Sequence, residues 1–336
     1  MSKLLFLRIF ALMKILVTGA TGFIGSFIVE EALRRGMEVW AAVRSTSNTR
    51  YLQDERINKV ELDLSSLSQM TKAMSSLSFD YVVHAAGATK ALRRDDFYKV
   101  NTEGAKNLVN ALKATNPSLK RFVFISSLSV FGPVREQQPY SEIREDDTPQ
   151  PNTSYGMSKL AAENWLKDNC TMPYTILRPT GVYGPREKDY MTMVDSIRRG
   201  VDVAIGGKPQ ELTFVYVTDV VQAVFLAMKS PKSIGRAYFL SDGEVYSSRT
   251  FSDYIIEELG KKRVLRLRLP RAILRMACAV SDVMMHVTGK LSTLNNDHYN
   301  ILCQCNWRCD ITPAIEELGY QPQVKLREGV RKMLGD

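Results

Sequence analysis

Cysteine is scarce in this 336-residue chain, with five residues. So small and odd a number disfavours a disulfide framework and fits a reducing compartment, the cytoplasm. No apolar run reaches the roughly 18 uninterrupted residues of a membrane-spanning helix. Internal repeats and low-complexity tracts are absent, which sets aside solenoids and arrays. Only three histidines are present, so any proton chemistry that runs on other side chains loses little.

What is present belongs to an ordinary globular protein: 45% hydrophobic and 24% charged residues exclude wholesale disorder. Surface scaling lets a chain of this size bury about three quarters of its unfolded surface, enough for one large domain or two moderate ones. The net charge of +9 suits nucleic acid, anionic lipid or phosphorylated ligands. Many cytosolic enzymes are as basic, however, and no nucleic-acid partner is expected. Residues 3–17 look like a signal peptide, but Lys3, Arg8 and Lys14 interrupt the apolar run and no small-residue cleavage site follows. Met13 then begins the fold, and residues 1–12 read as an extension or an upstream start.

The pattern from Lys14 is strand, glycine-rich turn, helix and strand within about 30 residues, a βαβ unit. Strands are expected at Lys14–Val17, Glu38–Val43, Val60–Leu62, Tyr81–His84, Arg121–Ser126 and Tyr174–Arg178. Helices are expected at Phe23–Arg35, near Ser66–Ser76, near Asn101–Ala114 and from Tyr155. This interleaving predicts an α/β, Rossmann-type doubly wound parallel sheet. After residue 180 the strands shorten and Pro and Gly punctuate the chain. Asp219–Met228 reads as a helix and Ala237–Ser241 as a strand, so a smaller second domain interleaves with the first. The expected division is 13–180 for dinucleotide binding, with 214–240 returning to it. Segments 181–213 and 241–336 are then left for the substrate. From Lys261 the chain reads as a strand, an apolar helix over Arg271–Val287 and a loop-rich tail.

Thr18-Gly19-Ala20-Thr21-Gly22-Phe23-Ile24-Gly25 places glycines at the turn, at the closest approach to a ligand and at the strand–helix contact. Only hydrogen side chains let backbone N–H groups close on a pyrophosphate at a helix N-terminus. The second strand runs out as Val43-Arg44-Ser45, without the carboxylate that would bind a free ribose 2′-hydroxyl. Arg44 suits a 2′-phosphate, so NADP is expected in preference to NAD; the plainer alternative is a solvated arginine at a strand end. Asp63 either reads an adenine amine or caps the next helix.

Tyr155 and Lys159 are four residues apart, on one helix face. An ammonium and an oxidised nicotinamide both favour a phenolate and would lower the tyrosine pKa from near 10. Tyr155 can then exchange a proton with a substrate oxygen while hydride moves to or from the carbon. A serine within Ser126-Ser127-Leu128-Ser129 can hydrogen-bond the same oxygen.

These motifs, in order, resemble the extended (atypical) short-chain dehydrogenases/reductases. The resemblance spans nearly the whole chain: TGATGFIG (18–25), HAAG (84–87), VNTEGAKNL (100–108), FVFISSLSVFG (122–132), YGMSK (155–159), LRPTGVYGP (177–185), FVYVTDVVQAV (214–224), WRCD (307–310) and LGYQP (318–322). It implies a Rossmann domain with a smaller C-terminal α/β substrate domain. It also implies Ser127 as the catalytic serine beside Tyr155 and Lys159. Around the cofactor it implies Gly19, Thr21, Gly22, Phe23, Ile24 and Gly25. Arg44, Asp63, Leu64, Ala85, Ala86 and Gly87 would follow, with Asn101, Pro179 and Val182 completing the lining. Homodimers through the two long helices flanking the Tyr-Lys segment are a family habit. Non-catalytic dinucleotide sensors of this kind typically lose Tyr or Lys, and both are kept here.

Two departures narrow the branch. Family dehydratases carry an acidic pair beside the serine, where this chain has Leu128 and Ser129. Sugar-nucleotide members commonly carry Asn before V-[YF]-G-P, where this chain has Thr180-Gly181. The pattern is closer to 3β-hydroxysteroid dehydrogenase-like and dihydroflavonol reductase-like members. The expected reaction is therefore secondary alcohol to ketone on a hydrophobic ring, with a nucleotide-sugar 4-epimerase or 4-ketoreductase as the alternative. Ile273, Leu274, Ala277, Val280, Met284 and Met285 form an apolar stripe for core packing or for covering a hydrophobic ligand. Arg266 and Arg268 follow Lys261-Lys262-Arg263 and suit solvent, an acidic amphiphile or peripheral contact with an anionic membrane. His298, Cys303, Cys305 and Cys309 match no ordinary zinc spacing, and no metal is expected.

Overall fold

The computed structural model describes residues 13–289, 292 and 294–335; the proposed extension 1–12 lies outside the described residues. Seven strands form the main sheet: β1 (Lys14–Thr18), β2 (Glu38–Val43), β3 (Ile57–Glu61), β4 (Tyr81–His84), β5 (Arg121–Ile125), β6 (Tyr174–Pro179) and β7 (Arg236–Leu240). Their order is β7-β6-β5-β4-β1-β2-β3, every pairing parallel. This is the doubly wound sheet expected from the alternating pattern. Helices α1 (Phe23–Arg34), α2 (Leu67–Met74), α3 (Gly104–Thr115), α4 (Ser154–Asn169) and α5 (Val217–Lys229) flank it.

The period-2 geometry of a strand explains why β1 reads as an unbroken apolar run. Ile15 and Val17 enter one core with Ile28 of α1 and Val224 of α5. Leu16 enters the other with Leu108 of α3 and Leu166 of α4. Gly36 adopts φ +75° at the end of α1 and turns the chain into β2. The third strand begins earlier than Val60, because Ile57 as well as Val60 is buried.

Beyond β6 the chain forms two-stranded pieces: Gly181–Tyr183 with Phe214–Tyr216, Val201–Ile205 with Leu265–Leu269, and Glu211–Leu212 with Tyr246–Ser247. The first and third of these contribute to an aromatic core in which Phe251 meets Tyr190 at 4.8 Å and Phe214 at 5.1 Å between centroids. The tail is more regular than its composition suggests. It holds helices at Asn296–Cys303 and Leu326–Gly335, the latter burying Leu326, Val330 and Met333 at helical spacing.

The long helix α6 (Arg271–Thr288) corrects the expected single stripe. Leu274, Cys278 and Met285 face the protein, whereas Ile273, Ala277, Val280 and Met284 are exposed. The stripe joined positions on two faces of the helix. Among the described residues no helix is long and apolar enough to cross a membrane.

Candidate active site

β1 and β4 are neighbours where the strand order reverses, and their carboxyl ends open the crevice in which such sheets bind ligands. Gly19 leaves β1 with φ +69°, and a Cβ there would lie 2.6 Å from the Ala85 carbonyl carbon and the Ala86 nitrogen. A Cβ on Gly25 would stand 2.1 Å from the Gly19 oxygen. These two glycines therefore let the turn fold against both α1 and the β4 loop. Gly22 caps α1 without a side-chain hydrogen bond, so the first-turn N–H groups of Phe23 and Ile24 are left for a ligand. Thr21 is half-buried in this turn. The arrangement fits a dinucleotide pyrophosphate.

Arg44 is exposed at the end of β2, and its backbone N–H donates to the Ser47 hydroxyl at 2.9 Å. Asp63 ends the β3 segment facing solvent. Its Oδ1 accepts from the Ser65 N–H at 2.9 Å and the Ser65 hydroxyl at 2.7 Å. Those bonds and the nearby Arg44 charge hold the carboxyl below its ordinary value. Turn formation ahead of α2 is thus its visible task. The Leu64 carbonyl accepts from Asn107 at 3.0 Å, pinning the same loop to α3.

Asn101 is fully buried within a π-helical turn, Tyr98–Glu103, where a regular helix start was expected. The wider turn lets one amide make three bonds: from the Ala88 N–H at 2.8 Å, to the Ala88 oxygen at 3.0 Å and to the Ser158 hydroxyl at 2.9 Å. Asn101 therefore sits behind the β4 loop and ties it to α4. Pro179 ends β6 opposite Leu240, and Val182 pairs with Val215 just beyond it.

Thr153 caps α4, its hydroxyl accepting from the Gly156 N–H at 3.0 Å. A Cβ on Gly156 would lie 2.3 Å from the Ser129 oxygen, so this glycine brings α4 against the segment after β5. Ser127 and Tyr155 meet through a hydrogen bond that favours the phenolate. The Ser127 hydroxyl oxygen also accepts from the Ser129 N–H at 3.1 Å. Lys159 lies one turn beyond Tyr155 on the buried side of α4. Its Nζ donates to the Ile125 oxygen at 2.8 Å and stands 4.7 Å over the Phe124 ring. A Cβ on Gly87 would be 3.1 Å from that ammonium, so the β4 loop and the lysine are in direct contact.

Burial pulls the Lys159 ammonium down to about 8, with the Glu163 carboxylate acting the other way. Burial also pushes the Tyr155 phenol up to about 12, against the Ser127 hydrogen bond. The protein alone therefore does not lower the phenol, contrary to the expectation from spacing: Lys159 is committed to Ile125, and desolvation dominates. A bound oxidised dinucleotide supplies the hydride acceptor and a positive charge that favours the phenolate.

Four contributors went unread in the sequence. His84 is buried and held neutral by desolvation, its pKa lowered to about 3. It stacks near Phe124 and bonds Thr18 at 2.6 Å, joining β4 to β1. Asp297 accepts from the Ser154 N–H at 2.8 Å and the Tyr155 N–H at 3.4 Å, anchoring the start of α4 from 142 residues away. Arg186, at φ +76°, donates to Ser26 and Glu30 and lies 4.2 Å from the Phe27 ring, clasping α1. Lys90 and Asp189 form an ion pair at 2.5 Å between the β4 loop and the helix Asp189–Arg198. His84 opens the HAAG motif and Arg186 directly follows the Val182-Tyr183-Gly184-Pro185 run, whereas Asp297, Lys90 and Asp189 lie outside any motif. Among the described residues no group of three or more His, Cys, Asp or Glu is placed to hold a metal ion.

A crevice with this phosphate turn, and a tyrosine, lysine and serine over its mouth, defines an NAD-dependent enzyme of the dehydrogenase and epimerase kind. The chain belongs to the NAD dependent epimerase/dehydratase family, which it matches over residues 15–241. It is an enzyme of the extended short-chain dehydrogenase/reductase type, as its motifs implied. It is 26% identical over 334 residues to a UDP-glucose 4-epimerase of Vibrio cholerae, covering 95% of this chain and 93% of that one. It is also 26% identical over 308 residues to a 3beta-hydroxysteroid-dehydrogenase/decarboxylase of Arabidopsis thaliana, covering 84% and 67%. Its fold matches a crystal structure of UDP-glucose 4-epimerase with UDP-glucose from Thermotoga maritima. That match has TM-score 0.76 and 24% identity, covering 96% of this chain and 98% of that one.

Proposed function

We propose that the protein interconverts a secondary alcohol and a ketone on a hydrophobic ring substrate of the 3β-hydroxysteroid type. In oxidation Tyr155 takes the hydroxyl proton as the carbon-bound hydrogen leaves as hydride; in reduction both transfers reverse. Ser127 donates a hydrogen bond to the reacting oxygen, and Lys159 supports the phenolate and holds the nicotinamide ribose. Residues 13–180 and 214–240 serve the dinucleotide, while 181–213 and 241–336 serve the substrate.

Position 181, directly before Val182-Tyr183-Gly184-Pro185, supports the steroid reading: it is glycine, with no side chain to meet a diphosphate, and a Cβ there would stand 2.5 Å from the Tyr190 hydroxyl. The Thr180 hydroxyl is buried and bonded to the Thr213 oxygen and hydroxyl, each at 2.8 Å. The similarity to UDP-glucose 4-epimerases supports a second reading, a nucleotide-sugar 4-epimerase or 4-ketoreductase using the same three residues. A thermal-shift screen with NADP, steroids, bile acids and nucleotide sugars, followed by NADPH absorbance, separates them. Stabilisation and NADPH consumption with a ketosteroid are expected; stabilisation by nucleotide sugars alone overturns the steroid reading.

NADP is the proposed cofactor, through Arg44 and the adjacent Ser45 at the end of β2. Arg44→Ala is expected to weaken NADPH binding roughly tenfold or more, the scale of a charge-assisted hydrogen bond. NADH binding stays close to its original strength. Fluorescence titration of both coenzymes checks this, and equal losses would show that Arg44 does not read the 2′-phosphate.

A further inference from the structure

We propose that α6 and the basic segment leading into it dock the protein, in plane, on an anionic lipid bilayer. This surface is independent of which substrate the active site takes. On the face of α6 away from the protein, Ile273, Met276, Val280, Val283, Met284 and Val287 are between 47% and 80% exposed. Their spacing puts them along one side of a helix about 27 Å long. So continuous an uncovered apolar face is unusual on a protein left in water. It is too short and too interrupted to span a membrane, but it suits burial at the headgroup–acyl boundary.

The charge beside it identifies the occupant. From Lys261 to Ser281 the sequence has seven lysines and arginines and no aspartate or glutamate. Arg266 is tied to Asp253 at 2.5 Å. Lys262, Arg263, Arg268 and Arg275 remain exposed. Cations flanking an apolar face complement an anionic leaflet. Covering this face with a second copy of the chain would instead bring two such cationic segments together.

The surface is mechanically close to the active site. The Arg271 guanidinium donates to the Cys303 oxygen at 3.0 Å, joining α6 to the short helix Asn296–Cys303. That helix holds the start of α4 through Asp297 and through Asn300, which donates to the Asn152 oxygen at 2.7 Å. One short helix thus separates the proposed bilayer contact from the turn that carries Tyr155.

The test is sedimentation of the full chain with vesicles of phosphatidylcholine alone or mixed with phosphatidylglycerol. Binding is expected to be roughly tenfold or more tighter to the anionic vesicles and to weaken with salt. Val283→Glu, at an exposed position, is expected to cost roughly tenfold or more in vesicle binding while thermal midpoint and coenzyme binding stay unchanged. The triple variant Lys262→Gln, Arg263→Gln, Arg268→Gln is expected to reduce anionic-vesicle binding to the neutral-vesicle level. No vesicle binding, or equal binding by wild type and Val283→Glu, overturns the proposal. So does a lipid-free dimer that Val283→Glu dissociates, because the face would then belong to a second copy.

Discussion

Tyr155→Phe is expected to slow turnover roughly a thousandfold, the scale of positioned acid–base catalysis. Coenzyme affinity should hold, because the ring remains to pack on α4 and only the hydroxyl is lost. The pH profile distinguishes this from a structural defect. Burial pushes the phenol up to about 12, so at neutral pH it is protonated and ready to donate during reduction. Alcohol oxidation needs the phenolate, and its rate is expected to climb with pH. The residual activity of Tyr155→Phe should lack that climb. An unchanged rate and slope in the variant would remove Tyr155 from the chemistry.

The second large effect concerns stability. Glu163 and Arg178 are both almost fully buried. Arg178 Nη2 stands 2.6 Å from Glu163 Oε2, and its Nε donates to Oε1 at 3.0 Å. Ser126 donates to the same carboxylate at 2.5 Å. Arg178→Met leaves that carboxylate without its cation, and breaking a buried pair on one side costs about 3–5 kcal/mol. That is a large share of the roughly 5–15 kcal/mol by which domains are stable. The double variant Arg178→Met, Glu163→Leu removes both charges and is expected to recover most of the loss. Urea unfolding midpoints of the two singles and the double measure the coupling. If Arg178→Met leaves the midpoint unchanged, the pair contributes nothing to stability. The pair also bears on catalysis, since Glu163 is one turn beyond Lys159 and favours its charged form.

That pair shows where sequence reading stops. β1, β4, β5 and β6 were legible because both their faces are buried, which writes continuous apolar runs into the chain, whereas the edge strand β3, exposed at Asn58, Lys59 and Glu61, was read too late. The phosphate turn was legible because Gly19 and Gly25 are required by close backbone contacts. α4 was harder: its buried side includes Lys159 and Glu163, so hydropathy hides the face and only the Tyr-x-x-x-Lys spacing marks it. Asp297 was invisible, because its bond to the start of α4 joins segments 142 residues apart. The Lys159–Ile125 bond was hidden for the same reason, and with it the direction in which the lone phenol titrates. On α6, an apolar helix reads the same whether its methionines and valines meet protein or stand exposed.

The most direct test of the proposed reaction is the stoichiometry of coenzyme and product in one reaction of the wild-type enzyme with a 3-ketosteroid and NADPH. One NADPH oxidised per 3-hydroxysteroid formed is the predicted result. Conversion of a nucleotide sugar with no net change in NADPH, and no reaction with any steroid, would contradict it.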